Sequence, residues 1–270
     1  MNPLNTIQGT IITGIVLAVV IALVVMGVQV NELSLIVWIH VAAGITWIGM
    51  LYYFNFVQTP AFAEVSDATR SEAMRTITWR ALWWFRFGAL LTFLSGVWIL
   101  GAQHLLGDRF DDFWTTSSGL SILIGALFAT TMFLNVWLVI WPAQQVIIGS
   151  ARKVAEGGEA DPEAAARAKP AARASRANTL MSIPMLWFMG FTSHYSFNYG
   201  ETDDSSFIVV LVLFLIILAV IELTALGKIG GYDSELAKTL FDKHKNTIIA
   251  GFVVWFVLFV IGYELIIGAS

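Results

Sequence analysis

No cysteine occurs in the 270 residues, which excludes disulfides, thiolate metal sites, iron–sulfur clusters, a cysteine nucleophile and haem attached through C-x-x-C-H. Any metal or redox chemistry must therefore rest on His, carboxylates or amides. Charge is also scarce: 13% of the residues are Asp, Glu, Lys or Arg, about half the ~25% usual in soluble chains. Histidine is limited to four positions. No internal repeat, nucleotide-binding motif or nucleophile motif is visible, and no nucleic-acid surface is expected. What is abundant is apolar, with 57% hydrophobic residues, 11 Trp, 19 Phe and a mean hydropathy of +0.76. A chain of this composition belongs in a bilayer.

Seven apolar runs have about the 20 residues that cross a ~30 Å hydrocarbon core at 1.5 Å per residue. They lie near 9–30, 33–57, 80–103, 118–147, 177–197, 206–227 and 247–268. The expectation is an all-α, polytopic membrane helix bundle forming a single integral membrane domain over 1–270. The first run has no Lys or Arg before it and no small-residue cleavage pattern after it, so it reads as a retained helix.

Thirteen of the 15 basic residues fall in the segments 58–80, 148–176 and 228–246, and Arg109 is alone on the opposite side. The positive-inside rule places the basic side in the cytoplasm, the N-terminus with it, and the C-terminus in the periplasm. The expected location is a bacterial inner (cytoplasmic) membrane. Glu32, Asp108, Asp111, Asp112, Glu201, Asp203 and Asp204 make the outer side acidic, which would attract a basic partner or serve solubility. In the cytoplasmic loop 149–177, Asp161-Pro162-Glu163 reads as a helix start, giving a short helix from Glu163 to Ala168 ended by Pro170. Ser66 to Thr78 reads as a second short surface helix.

Ionisable residues inside spans are costly and mark candidate sites. His40 lies about 10 Å into the second span, and His194 lies near the outer end of the fifth. Going deeper, His40, Gly44 and Trp47 stand at offsets 0, 4 and 7, and His194, Gly190 and Trp187 repeat that order. This is the spacing of a single helical face. A glycine one turn below each histidine leaves room for a flat macrocycle, so both faces are read as prepared to hold a non-covalent haem b with His40 and His194 as axial ligands. In an alternative, one histidine ligates iron and the other touches substrate. Hydrogen bonding across the bundle and interfacial Trp placement explain the same residues without a ligand.

Arg86 lies about 9 Å deeper than Arg80. It needs a haem propionate, a planar anionic substrate, Glu222 or helix-end carbonyls as partner. Asn135 offers mid-membrane donors and an acceptor to a polar ligand, or holds helices together. His104 is expected at the outer interface, and His244, in a Lys-rich stretch, in solvent.

The runs His40 to Gly49 (HVAAGITWIG), Arg80 to Arg86 (RALWWFR), Met132 to Gln144 (MFLNVWLVIWPAQ) and Arg176 to Met185 (RANTLMSIPM) through Ser193 and His194 resemble the membrane domain of bacterial urate hydroxylase over about 33–267. The His, Gly and Trp of helix two are also similar to bacterial haem-binding protoporphyrinogen oxidase and to copper-resistance membrane proteins, over that one helix. The first resemblance implies oxidation of urate to 5-hydroxyisourate, with electrons leaving through a fused cytochrome c domain. The sequence ends at Ser270 without C-x-x-C-H, so a separate periplasmic cytochrome c or a respiratory complex is the expected acceptor. Urate, or another small planar anion, would bind with Arg86 supplying charge, Asn135 hydrogen bonds and Trp84 or Trp137 a stacking surface. A haem b subunit that is not an enzyme, serving electron transfer or structure in a respiratory assembly, is the competing expectation. Homo-oligomerisation is compatible with either.

Overall fold

Apolar runs of membrane length become helices because a helix bonds each backbone N–H within its own segment, which a hydrocarbon layer demands. The computed structural model describes residues 6–25, 32–102, 116–194 and 202–268. Their architecture is all-α. In chain order the helices are α1 (Ile7–Val25), α2 (Glu32–Glu64), α3 (Asp67–Leu100), α4 (Ser117–Ala155), α5 (Pro162–His194), α6 (Asp204–Ala225), α7 (Glu235–Phe241) and α8 (His244–Ile267). Among the described residues, five of these (α2, α3, α4, α6 and α8) are long and apolar enough to cross a membrane. His104, Asp108, Arg109, Asp111, Asp112 and Glu201 lie outside the described residues.

The helices run further than local signals suggest. At 33 and 34 residues, α2 and α3 are about 50 Å long at 1.5 Å per residue, well beyond the hydrocarbon core. Ser66 does cap a helix, its Oγ accepting from the Thr69 backbone N–H at 3.3 Å. That helix is no separate surface element, because it continues through a π turn at Met74–Thr78 into α3. The Asp161 start is also real, with Oδ1 accepting from the Glu163 N–H at 3.0 Å. Pro170 does not end it. The helix passes Pro170 and Pro184 to His194, and Ala171, Ala174 and Ala177 just beyond Pro170 are buried. Packing outweighs the missing proline donor there.

Pro60 and Pro142 follow π turns at Tyr53–Gln58 and Asn135–Ile140. The residue before each proline donates five residues back, Thr59 to the Phe54 carbonyl and Trp141 to that of Val136. The wider turn relieves the clash of a proline ring with the carbonyl four residues earlier, without breaking the helix.

The core forms around α5, which packs against α4 and α8 and also touches α2 and α6. Asn178, Thr179, Leu180, Met181 and Ser182 on α5 are buried within it. A helix enclosed by other helices need not be as apolar as one bathed in lipid, provided its polar groups find partners. Those of α5 do: Asn178 donates to the Met132 carbonyl at 2.9 Å, and Ser182 bonds the Tyr52 hydroxyl at 2.9 Å. By contrast α1 exposes Ile12, Leu17 and Val24, as a lipid-facing helix would. Two close approaches need glycine. A Cβ on Gly88 of α3 would lie 3.2 Å from the Trp47 backbone nitrogen, and one on Gly251 of α8 would lie 2.6 Å from Ile183 Cδ1 and 2.8 Å from the Leu180 carbonyl oxygen.

Candidate functional site

His40 is positioned by α3. Its Nδ1 lies 2.9 Å from the Thr92 carbonyl oxygen and 3.2 Å from Ser95 Oγ. The Thr92 and Ser95 hydroxyls turn back on the helix, donating to the carbonyls of Gly88 and Leu91 at 2.7 and 2.6 Å, and Ser95 Oγ also lies 3.1 Å from the Thr92 carbonyl oxygen that His40 uses. A carbonyl only accepts, so Nδ1 carries the proton and Nε2 has a free lone pair. A carbonyl behind the far nitrogen is the usual way to orient a metal-bound imidazole. Gly96 makes room for the ring: a Cβ there would be 3.0 Å from His40 Cε1. His40 thus fits an axial ligand.

The remaining parts of the two histidine faces differ. A Cβ on Gly44 would sit 3.8 Å from Thr92 Cγ2, so this glycine faces α3, whereas one on Gly190 would meet nothing within 4 Å. Trp47 is 1% exposed, and its Nε1 is buried without an acceptor. Trp187 packs its ring against Trp255 and Phe259 of α8, at 5.3 and 4.9 Å between centroids. On α2, His40 and Gly44 are thus directed at α3, whereas on α5 Trp187 is directed at α8. His194 is placed as the last residue of α5.

Arg86 and Asn135 occupy opposite sides of α4. The Arg86 guanidinium carbon lies 3.7 Å from the Trp141 ring centroid, 4.7 Å from that of Phe87 and 6.0 Å from that of Trp137. Such contacts attract a cation without neutralising it. Glu222 is not its partner; the aromatic rings are. Arg86 Nε and Trp137 Nε1 are both buried without acceptors. Nearby, Arg152 lies 4.5 Å over Trp79, whose ring is 5.4 Å from that of Trp141. Two guanidiniums thus bracket two indoles.

Asn135, 2% exposed, spends both amide hydrogens inside the bundle. Its Nδ2 donates to Asn178 Oδ1 at 3.0 Å and to Glu222 Oε2 at 2.9 Å. The network joins α4, α5 and α6, and it leaves Asn135 no donor for a ligand. Thr92 and Ser95 are the partners that sequence reasoning misses; their only signal is the three-residue spacing on α3. His244 is not simply solvated, because its Nδ1 lies 2.7 Å from Arg176 Nη1.

The fold and these sites define an all-α protein that, among the described residues, has five helices of membrane length and polar groups buried between them, as a multi-pass membrane protein would. Residues 112–231 match the family described as urate oxidase N-terminal, a little under half of the sequence. The match contains Asn135, Trp137, Trp187, Gly190, His194 and Glu222, while His40 and Arg86 precede it. No curated protein and no solved structure matches the chain.

Proposed function

We propose that the protein is a membrane oxidoreductase of the urate hydroxylase type, which oxidises urate to 5-hydroxyisourate and delivers the electrons to a separate cytochrome c on the periplasmic side. It would sit in a bacterial inner membrane as one domain of seven spans, α1 and α5 included, with a cytoplasmic N-terminus. The observation that carries the reading is the pair of buried donors without acceptors among the described residues, Arg86 Nε and Trp137 Nε1, beside a guanidinium stacked on aromatic rings. A planar anion supplies the missing acceptor, and the similarity of residues 112–231 points to urate as that anion.

In this mechanism Arg86 holds the anion by charge, and Trp137 donates from its indole N–H. The rings of Trp137 and Trp141 would cover one side of the guanidinium and lower the local dielectric, which strengthens both bonds. Asn135 acts as a positioning residue: its bonds to Asn178 and Glu222 fix the opposite face of α4, and thereby Trp137 and Trp141. Haem b, for which His40 Nε2 is the oriented donor and His194 the second ligand that the sequence pattern suggests, would supply one-electron chemistry. Thr92 and Ser95 keep the His40 ring in the tautomer that ligation needs.

A reduced-minus-oxidised absorption spectrum and urate consumption with added cytochrome c test this together. Sharp haem b bands that disappear in His40→Ala and in His194→Ala are expected, as is turnover whose KM for urate rises at least about tenfold in Arg86→Gln, for loss of a charge-assisted bond. A colourless protein would remove the haem assignment. Haem bands with no urate turnover would instead favour a haem b subunit that is not an enzyme, a reading to which the commitment of both Asn135 amide hydrogens inside the bundle lends weight.

A further inference from the structure

The amino end of α8 meets the π turn of α2 at an open recess of about 430 Å³ lined by Phe56, His244, Lys245, Ile248 and Ile249. The lining changes with depth. His244 and Lys245 belong to the first turn of α8, and Ile248 and Ile249 follow one turn deeper. Behind the recess stands Arg176, 9% exposed, bonded to His244 Nδ1 at 2.7 Å. A guanidinium only donates, so Nδ1 accepts and the His244 proton sits on Nε2.

Positive charge here is in excess: Arg173, Arg176 and Lys245 gather about one carboxylate. Asp242 is the neighbouring carboxylate, and it is engaged at 2.7 Å by Arg173, which also donates to the carbonyls of Ala237 and Tyr232. The bond to His244 gives Arg176 an acceptor, and the one carboxylate acting on it, Asp242, is shared with Arg173. The first turn of α8 contains no acid, and its N-cap Lys243 provides no side-chain cap. The exposed N–H groups and the positive end of the helix dipole are therefore added to Arg176 and Lys245.

We propose that this recess binds the phosphate of an anionic phospholipid, with Lys245 and the amino end of α8 on the phosphodiester and Phe56, Ile248 and Ile249 along the glycerol and first acyl carbons. The apolar wall decides the source of the phosphate. Three of the five lining residues are apolar and Ile249 is 50% exposed, which a free oxyanion would not require and a lipid would cover. The position also suits a headgroup, since basic residues end and the apolar run of α8 begins within this one turn. The inference does not depend on the proposed urate chemistry.

Native mass spectrometry and thermal melting of the purified full chain in uncharged detergent provide the test. Dioctanoyl phosphatidylglycerol, dioctanoyl phosphatidylcholine and inorganic phosphate are added separately. The phosphatidylglycerol is expected to bind and raise the melting midpoint, and the other two to do neither. Lys245→Glu, at an exposed position, should leave the lipid-free midpoint unchanged and weaken phosphatidylglycerol binding about fivefold or more, from ~1 kcal/mol per basic residue at a membrane surface. Lys228→Glu, an equal charge reversal on the loop between α6 and α7, should leave binding unchanged. Equal weakening by both variants, equal binding of the two lipids, or a full shift with inorganic phosphate alone would each overturn the proposal.

Discussion

His40 illustrates what a single hydrogen bond decides. The Thr92 carbonyl fixes the tautomer, and the missing side chain at Gly96 fixes where the ring lies. Gly96→Ala, whose Cβ would come within 3.0 Å of His40 Cε1, is expected to swing the ring off that carbonyl and to shift or remove the haem b bands. An unchanged spectrum would argue against the role of this bond. Asp203 gives a second residue-scale expectation. Its carboxylate caps α6, accepting from the Ser205 and Ser206 N–H groups at 2.8 and 3.1 Å. Hydrogen bonds from the Ser205 and then the Ser206 side chains, with the backbone, lower its pKa from 3.8 to about 2. A lowered folded-state value stabilises above the unfolded pKa and is lost as pH falls from about 4 toward 2. Melting curves across that range should converge for wild type and Asp203→Asn, and a constant offset would sink the assignment.

At the scale of the elements, helix existence was legible in hydropathy because lipid allows few alternatives to a long apolar helix. Helix ends were less so. Ser66 and Pro170 carry genuine local signals, yet neighbouring packing carries the chain through or past them. The site was legible in part. His40 and Arg86 stand out as ionisable residues inside spans, but the indoles that cover Arg86 come from α4, and no spacing rule connects them to α3. For Asn135 the bonding within the bundle, rather than ligand binding, is what the geometry displays. Asn135→Leu would strip donors from both Asn178 and Glu222 and is expected to cost about 1–2 kcal/mol in equilibrium unfolding. Gly251→Ala, driven into Ile183 and the Leu180 carbonyl, should cost about 1–3 kcal/mol by overpacking. If either variant melts like wild type, the corresponding contact is not formed.

For the whole molecule, the strong asymmetry of Lys and Arg predicts which loops face the cytoplasm. The cysteine-free background makes that prediction easy to check, because any introduced thiol is the sole target for a maleimide. Ala160→Cys, before α5, should react with an impermeant reagent only from the cytoplasmic side, and Ala102→Cys, at the outer end of α3, only from outside. Labelling of both from one side would overturn the proposed orientation. The low apolarity of α5 has the same whole-molecule origin: its neighbours are other helices, so its sequence answers to them and not to lipid.

The stack of Arg86 on Trp141 also has an optical consequence. An indole with a guanidinium 3.7 Å above its ring emits in the field of that charge. Anything that neutralises Arg86 changes the field at Trp141, and hence the colour and yield of its fluorescence. If an anion binds Arg86 as proposed, Trp141, one of 11 tryptophans, reports its arrival as the part of the emission lost in Trp141→Phe, without turnover, acceptor or label.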